Sequence, residues 1–283
     1  MKKQFWVCLS HDVDRVKKTF QFFTHFLKAL RNIDLESAAY QIRSLSQRSH
    51  YWNFYKIMEI EEKLGVRSTF FFLNETYPFH PLRIPSWRLS LGYYDLFDSN
   101  LQTVIRKLDD EGWEVGLHGS FLSFNNLDLL KKEKSDLESI VGHTVVGVRQ
   151  HYLNLDEHTW ERQAEAGFLY DASFGFSDDI GFKEGRCHPF KPISNQNFHV
   201  VPLALMDSCV MGMKNPFESA VDVIKMAEEK QACLVLNWHQ RMFNEKEFPG
   251  YLNMYLRLIE ECRTRGASFS TIGQYVLGCR AAI

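Results

Sequence analysis

The sequence predicts an α/β fold built on a parallel sheet, and three observations predict it. Short apolar or β-branched runs recur along the chain, separated by segments of helical period, and this alternation is the mark of βαβ units. Several of these runs end in polar or charged residues, as strands do at the face where a parallel barrel carries its site. The length of 283 residues, 45% of them hydrophobic and 24% charged, suits one large core, and α/β barrels commonly reach this size as a single domain.

Taken in order, the candidate strands are 5–10, 68–73, 114–117, 145–148, 198–203, 233–236 and 268–272. Helical pattern covers 52–64, 101–111, 127–141, 157–166, 216–229 and 250–265. Asp98 or Ser99, Asn126 and Asp156 stand where N-caps are needed, as does Asn215 with Pro216 at the first helical position. Residues 15–49 form an insertion with two helical stretches and a dense aromatic cluster (Phe20, Phe22, Phe23, Phe26), expected beside the mouth of the site. Residues 76–94 hold three prolines and several aromatics, which suits a long loop over a groove.

Lys and Arg total 33 against 35 Asp and Glu, so no broad basic field exists to hold a nucleic acid or an anionic membrane. The opening MKKQFWVCLSHDVD passes from two lysines into an apolar run that stops at His11, too short for a signal segment or a membrane span and suited to a buried first strand. The six cysteines are scattered without a CxxC pair, which points away from a disulfide framework or a thiolate zinc site and toward a reducing, cytoplasmic location.

The chemistry gathers at strand ends. In WVCLSHDVD the alternation of side chains places Asp12 and Asp14 on one face. Two carboxylates at close range need a cation or a shared proton, although Asp14 could instead cap the next helix. WEVGLHGS delivers His118, an imidazole suited to zinc or a similar ion. VVGVRQHYL ends in Arg149, His151 and Tyr152, where the guanidinium could hold a carboxylate. ACLVLNWHQ ends in His239, with Trp238 placed to desolvate the ring for acid or base work. Each residue alone has a structural explanation; their coincidence on one rim points to a site.

These residues resemble the polysaccharide deacetylase family across nearly the whole chain. SHDVD is similar to its first motif, GLHGSFLSF to its second, RQHY to its third and LVLNWH to its last. The resemblance implies a distorted (β/α)7 barrel and a metal-dependent hydrolase that removes N-acetyl groups from a sugar or glycan. It implies Asp12 as base, Asp14 and His118 as metal ligands, Arg149 as the residue that orients the base, Tyr152 as the backbone oxyanion donor and His239 as general acid. The implied ion is zinc, with cobalt, nickel or manganese as alternatives. The second motif departs from the pattern, because Leu122 stands where a second His is expected; His151, in place of the usual proline, is the candidate third ligand, with Ser123 and water as weaker substitutes. Asp171, in a region that does not match the fourth motif, is a candidate partner of His239, or a turn residue. Two other functions fit the same residues: hydrolysis of a small amide such as a cyclic imide or ureide by the same mechanism, and non-catalytic sugar binding at a degenerate site.

Overall fold

The computed structural model describes residues 5–45, 50–83, 86–194 and 197–281. Strand β1 (Trp6–Val13) leads into α1 (Gln21–Arg31) and α2 (Leu35–Ser44), the two helices of the insertion, whose residues 46–49 lie outside the described residues. Then follow α3 (Phe54–Lys63), β2 (Thr69–Leu73), a single turn α4 (Trp87–Ser90), α5 (Ser99–Asp110), β3 (Glu114–Gly119), α6 (Leu127–Val141), β4 (Gly147–Gln150), α7 (Thr159–Glu165) and β5 (Tyr170–Asp171). The chain ends with β6 (His199–Val200), β7 (Leu203–Met206), α8 (Asp207–Gly212), α9 (Pro216–Lys230), β8 (Cys233–Asn237), α10 (Tyr251–Thr264), β9 (Ser268–Ser270) and α11 (Ile272–Ala281).

Every pairing between these strands is parallel, in the order β6-β5-β4-β3-β2-β1-β8-β7, with β9 set against β1. The two edge strands, β6 and β7, are joined by residues 201–202, so the curled sheet closes through the chain and not through a ladder. The expected strand over 198–203 divides here, because Pro202 has no N–H to give to a ladder. The expected helix over 157–166 starts two residues later, at Thr159: Asp156 accepts from His158 N and Thr159 Oγ1 at 2.9 Å and so holds the turn before the helix. Asp98 and Asn126 do cap, accepting from Leu101 N and Leu129 N.

The period of two sorts the strands into an outer and an inner face. Val7, Leu9 and Val13 of β1 enter the large core between sheet and helices, whereas Cys8 joins Phe71, Tyr170, Cys233 and Val235 in a smaller apolar cluster inside the barrel. Two glycines make that inner floor possible. A Cβ on Gly116 would stand 2.7 Å from the Phe71 ring, and one on Gly147 would stand 2.1 Å from Tyr170. Above the floor the same inward positions turn polar, to Ser10 and Asp12 on β1, His118 on β3, Arg149 on β4 and Asn237 on β8. Burial of apolar surface below thus positions charge above.

Behind β1 lies a buried polar network that ties the strands to the helices. Glu61 of α3 accepts from Ser68 Oγ (2.8 Å), Trp113 Nε1 (2.7 Å) and Tyr255 OH (2.6 Å), and its Oε1 lies 2.8 Å from His11 Nε2. The other ring nitrogen of His11 donates to the Trp238 carbonyl at 2.6 Å. Burial pushes the Glu61 carboxyl up, but His11 first and then Tyr255 and Trp113 outweigh it and hold it below its usual range. No helix among the described residues is long and apolar enough to cross a membrane.

Candidate active site

A cavity of about 250 Å³ opens at the C-terminal ends of the strands, lined by Asp12, Asp14, His118, Gln150, His151, Tyr152, His239 and Arg241 among others. Asp12 ends the polar column of β1 and is 3% exposed. Its Oδ1 accepts from Arg149 Nη1 and its Oδ2 from Asn237 Nδ2, both at 2.8 Å. Arg149 is fixed in turn: Nε donates to Ala172 O at 2.9 Å, Nη1 also donates to Ser10 Oγ at 2.9 Å, and the guanidinium lies 4.5 Å over the Phe71 ring. Burial pushes the Asp12 carboxyl up, yet Arg149 and the imidazoles of His118 and His239 outweigh it and hold it below the usual carboxylate range. The result is an ionised carboxylate aimed into the cavity.

Asp14 follows the end of β1 and meets three imidazoles. Its Oδ1 lies 3.3 Å from His118 Nε2 and 3.9 Å from His151 Nε2, and its Oδ2 lies 3.7 Å from His239 Nε2. Arg241 Nη1 donates to Oδ2. Burial raises the Asp14 carboxyl, but Arg241 first and then the imidazoles more than reverse this and hold it well below the usual range.

His118 Nδ1 donates to the Arg149 carbonyl at 2.8 Å, which turns Nε2 toward Asp14. Burial pushes the His118 pKa down, but Asp12 and Asp14 more than offset it and raise it. Burial dominates at His151 and lowers its pKa, even though Glu75 Oε2 lies 3.5 Å from Nδ1.

One atom of each of Asp14, His118 and His151 lies within 4.8 Å of the other two, all three residues are buried, and among the described residues none donates a hydrogen bond to Asp14 Oδ1. An orphaned carboxylate oxygen facing two imidazole nitrogens is a donor set that fits a divalent cation. Leu122 is 39% exposed and does not line the cavity; the second imidazole of the group comes from the end of β4.

His239 extends past β8 on the other side of Asp14. Its Nδ1 lies 2.8 Å from Asp207 Oδ2, which also accepts from the His239 main-chain N–H at 2.5 Å. Burial pushes the His239 pKa down and Asp207 more than compensates, raising it. The expected partner, Asp171, is elsewhere: on β5 it accepts from Ser173 Oγ (2.5 Å), Ser173 N (2.9 Å) and Gln163 Nε2 (3.0 Å), a buried turn role. The correction follows from sheet order, since β7 and not β5 pairs with β8, and Asp207 is the first residue after β7.

Trp238 likewise does not cover His239. It is fully buried in the outer core, with Tyr251 and Tyr255 as ring neighbours, as the alternation of β8 requires. Among the loop aromatics, Tyr94 OH bridges the ends of β1 and β2, donating to Val13 O (2.7 Å) and accepting from Leu73 N (2.6 Å). Trp87 donates to His80 O and packs on Phe79.

Tyr152 has φ 60° and Leu153 φ 54°. Two successive non-glycine residues in the left-handed region carry backbone strain, and such strain gathers at functional sites. The Tyr152 ring lies 4.4 Å from His151 and 5.8 Å from Phe121.

Four residues of this arrangement escape the sequence reading: Glu75, Asp207, Asn237 and Arg241. Each stands at or just beyond a strand end, and that position is the signal that could have found them.

No protein-family model matches the chain, and no curated protein matches it in sequence. Among solved structures the chain is similar to a Mycobacterium smegmatis protein described as a polysaccharide deacetylase, with 18% identity over 99% of this chain and 91% of that one and a TM-score of 0.62. A Pseudomonas aeruginosa PAO1 protein of the same description shares 14% identity over 97% and 90% of the two chains, with a TM-score of 0.60. The chitin deacetylase of the fungal pathogen Colletotrichum lindemuthianum shares 13% identity over 97% and 87%, with a TM-score of 0.51. The chain has the distorted (β/α)7 barrel fold of these proteins.

Proposed function

We propose that this chain is a metal-dependent hydrolase that removes N-acetyl groups from a sugar or glycan. The observation that carries this reading is the grouping of three devices on one rim: the carboxylate of Asp12 locked by Arg149 and Asn237, the Asp14, His118 and His151 group beside it, and His239 backed by Asp207. A pure binding surface has no need of an oriented base, an orphaned ligand set and an oriented imidazole together.

Asp14, His118 and His151 are the residues that would hold a divalent ion, zinc first and cobalt, nickel or manganese next. When bound there, such an ion supplies Lewis-acid polarisation of an acyl carbonyl and a lowered pKa for a water molecule. Asp12 accepts the proton of the attacking water, and Arg149 keeps that carboxylate ionised and aimed between turnovers. The backbone N–H of Tyr152 donates to the oxyanion that forms as the acetamide carbon becomes tetrahedral. His239, its Nδ1 on Asp207, presents Nε2 to the departing amine and gives it a proton. Water and acetamide thus become acetate and a free amino sugar.

The test is release of acetate from N-acetylglucosamine oligomers by protein reconstituted with zinc, cobalt, nickel or manganese, beside a chelated control. Release that the chelator abolishes supports the reading. Protein that takes up an ion yet releases nothing from any N-acetylated glycan contradicts it and favours the sugar-binding function.

A further inference from the structure

Glu75 stands two residues past the end of β2, and its side chain is 2% exposed. Both of its oxygens are held: Oε1 accepts from Tyr77 N at 3.0 Å and Oε2 from Phe121 N at 2.9 Å. These N–H groups fix the carboxylate between the end of β2 and the loop after β3, with Oε2 3.5 Å from His151 Nδ1. That nitrogen is buried and has no hydrogen-bond partner among the described residues. A buried ring nitrogen and a fixed carboxylate oxygen thus face each other just beyond ordinary hydrogen-bond length.

The ring neighbours of His151 do not tell its two nitrogens apart. The rings of Tyr152, His118 and Tyr93 lie 4.4, 5.2 and 6.0 Å from it, and these contacts set the plane of the imidazole without choosing where its proton sits. The polar groups choose. At one end Nε2 lies 3.9 Å from Asp14 Oδ1, and at the other Nδ1 faces Glu75. A neutral imidazole has one N–H and one lone pair, whereas a carboxylate oxygen only accepts. With the proton on Nε2, a lone pair on Nδ1 would face the Glu75 oxygen, two buried acceptors with no hydrogen between them. With the proton on Nδ1, Glu75 is satisfied and the Nε2 lone pair is turned toward Asp14. His118 is set in the same way, its Nδ1 donating to the Arg149 carbonyl. Both rings then aim lone pairs at one carboxylate oxygen, an arrangement that a cation among them reconciles.

We propose that Glu75 is a positioning residue of the candidate metal centre, drawing the His151 proton to Nδ1 and so committing Nε2 to the ion; this role rests on the metal-dependent reading of the site but not on its substrate.

The test reads the ring itself. Long-range proton–nitrogen NMR of chelator-stripped protein carrying nitrogen-labelled histidine, at a pH above the titration of an ordinary imidazole, distinguishes the two tautomers. Loss of a signal in His151→Gln assigns it. The expected result in the wild type is a proton on His151 Nδ1, a reading that needs no Glu75 variant. Glu75→Gln presents an amide that donates as well as accepts, so the Nε2–H form of His151 should gain population while His118 keeps its own form. Zinc affinity, measured by competition with a chelator, should fall about 10–100-fold in Glu75→Gln. A role confined to holding the N–H groups of Tyr77 and Phe121 would leave the tautomer unmoved. A proton on Nε2 of His151 in the wild type, a tautomer that Glu75→Gln leaves unchanged, or equal zinc affinity in the two proteins overturns the proposal. Acetate release is measured on the zinc-loaded wild type beside these readings. Zinc binding without release from any N-acetylated glycan removes the deacetylase reading and keeps the role of Glu75, and release together with any of the three contrary results does the reverse.

Discussion

Arg149 Nη1 lies 2.8 Å from Asp12 Oδ1, with the arginine fully buried and the aspartate 3% exposed. A buried charge pair is costly to break from one side, because the remaining charge is stranded. Arg149→Met is therefore expected to destabilise the fold by about 3–5 kcal/mol, read as a lowered midpoint in urea unfolding. Asp12→Asn keeps the shape and a hydrogen-bonding oxygen for Arg149. It is expected to retain metal and lose about 10²–10⁴-fold in turnover. An Asp12→Asn protein that turns over at the wild-type rate would remove Asp12 as the base.

Asp207 and His239 form the second oriented pair. His239→Gln is expected to lower turnover by about 10²–10⁴-fold on N-acetyl sugars. Asp207→Asn should lower it less, because the ring remains and only its orientation and charge support are lost. Both should bind metal as the wild type does, which separates a proton-transfer defect from a lost ligand. Asp171→Asn is expected to act on stability instead, since its contacts are to Ser173 and Gln163.

Glu133 supplies a pH dependence of stability away from the site. Ser120 N donates to its Oε2 at 3.1 Å, its Oε1 has no hydrogen-bond partner among the described residues, and burial pushes the carboxyl up to about 7 from 4.5. The folded protein therefore holds a proton that the unfolded chain releases, so the contribution of this group is full below 4.5 and is lost as pH rises through about 7. Glu133→Gln keeps an acceptor for Ser120 and does not ionise. The wild type is expected to lose on the order of 3 kcal/mol relative to this variant across that interval. Thermal unfolding of both proteins at several pH values checks this, and parallel curves would contradict it.

The His11–Glu61 contact at 2.8 Å anchors β1 to α3 and, through the Trp238 carbonyl, to β8. His11→Ala leaves the Glu61 carboxylate buried without its imidazole partner and is expected to cost about 3–5 kcal/mol. Because His11 precedes Asp12, turnover should fall further than that of an equally destabilised core variant. Equal activity at matched stability would limit the network to a structural role.

Much of the barrel is legible in the sequence, because β1, β2, β3 and β8 are continuous buried runs and their inward positions change from apolar to polar at the C-terminal end. β5 escapes because two residues carry no period, and α8 because a six-residue helix offers few turns to read. The strand-end residues Asp12, Asp14, His118, His151 and His239 do converge on one cavity, with Arg149 behind Asp12. Their partners are a different matter. Which acid supports His239 depends on which strand lies beside β8, and that order is a property of the sheet, invisible to spacing along the chain. Trp238 shows the same limit at shorter range: adjacency to His239 in sequence places it on the opposite face of the strand.

The most direct test of the site is the metal content of purified protein by elemental analysis, with wild type and His151→Ala measured side by side. The expected result is about one equivalent of divalent ion in the wild type, lost in His151→Ala while the circular dichroism spectrum is unchanged. No uptake by the wild type after incubation with zinc, cobalt, nickel or manganese, or equal uptake by His151→Ala, would contradict a centre built from Asp14, His118 and His151.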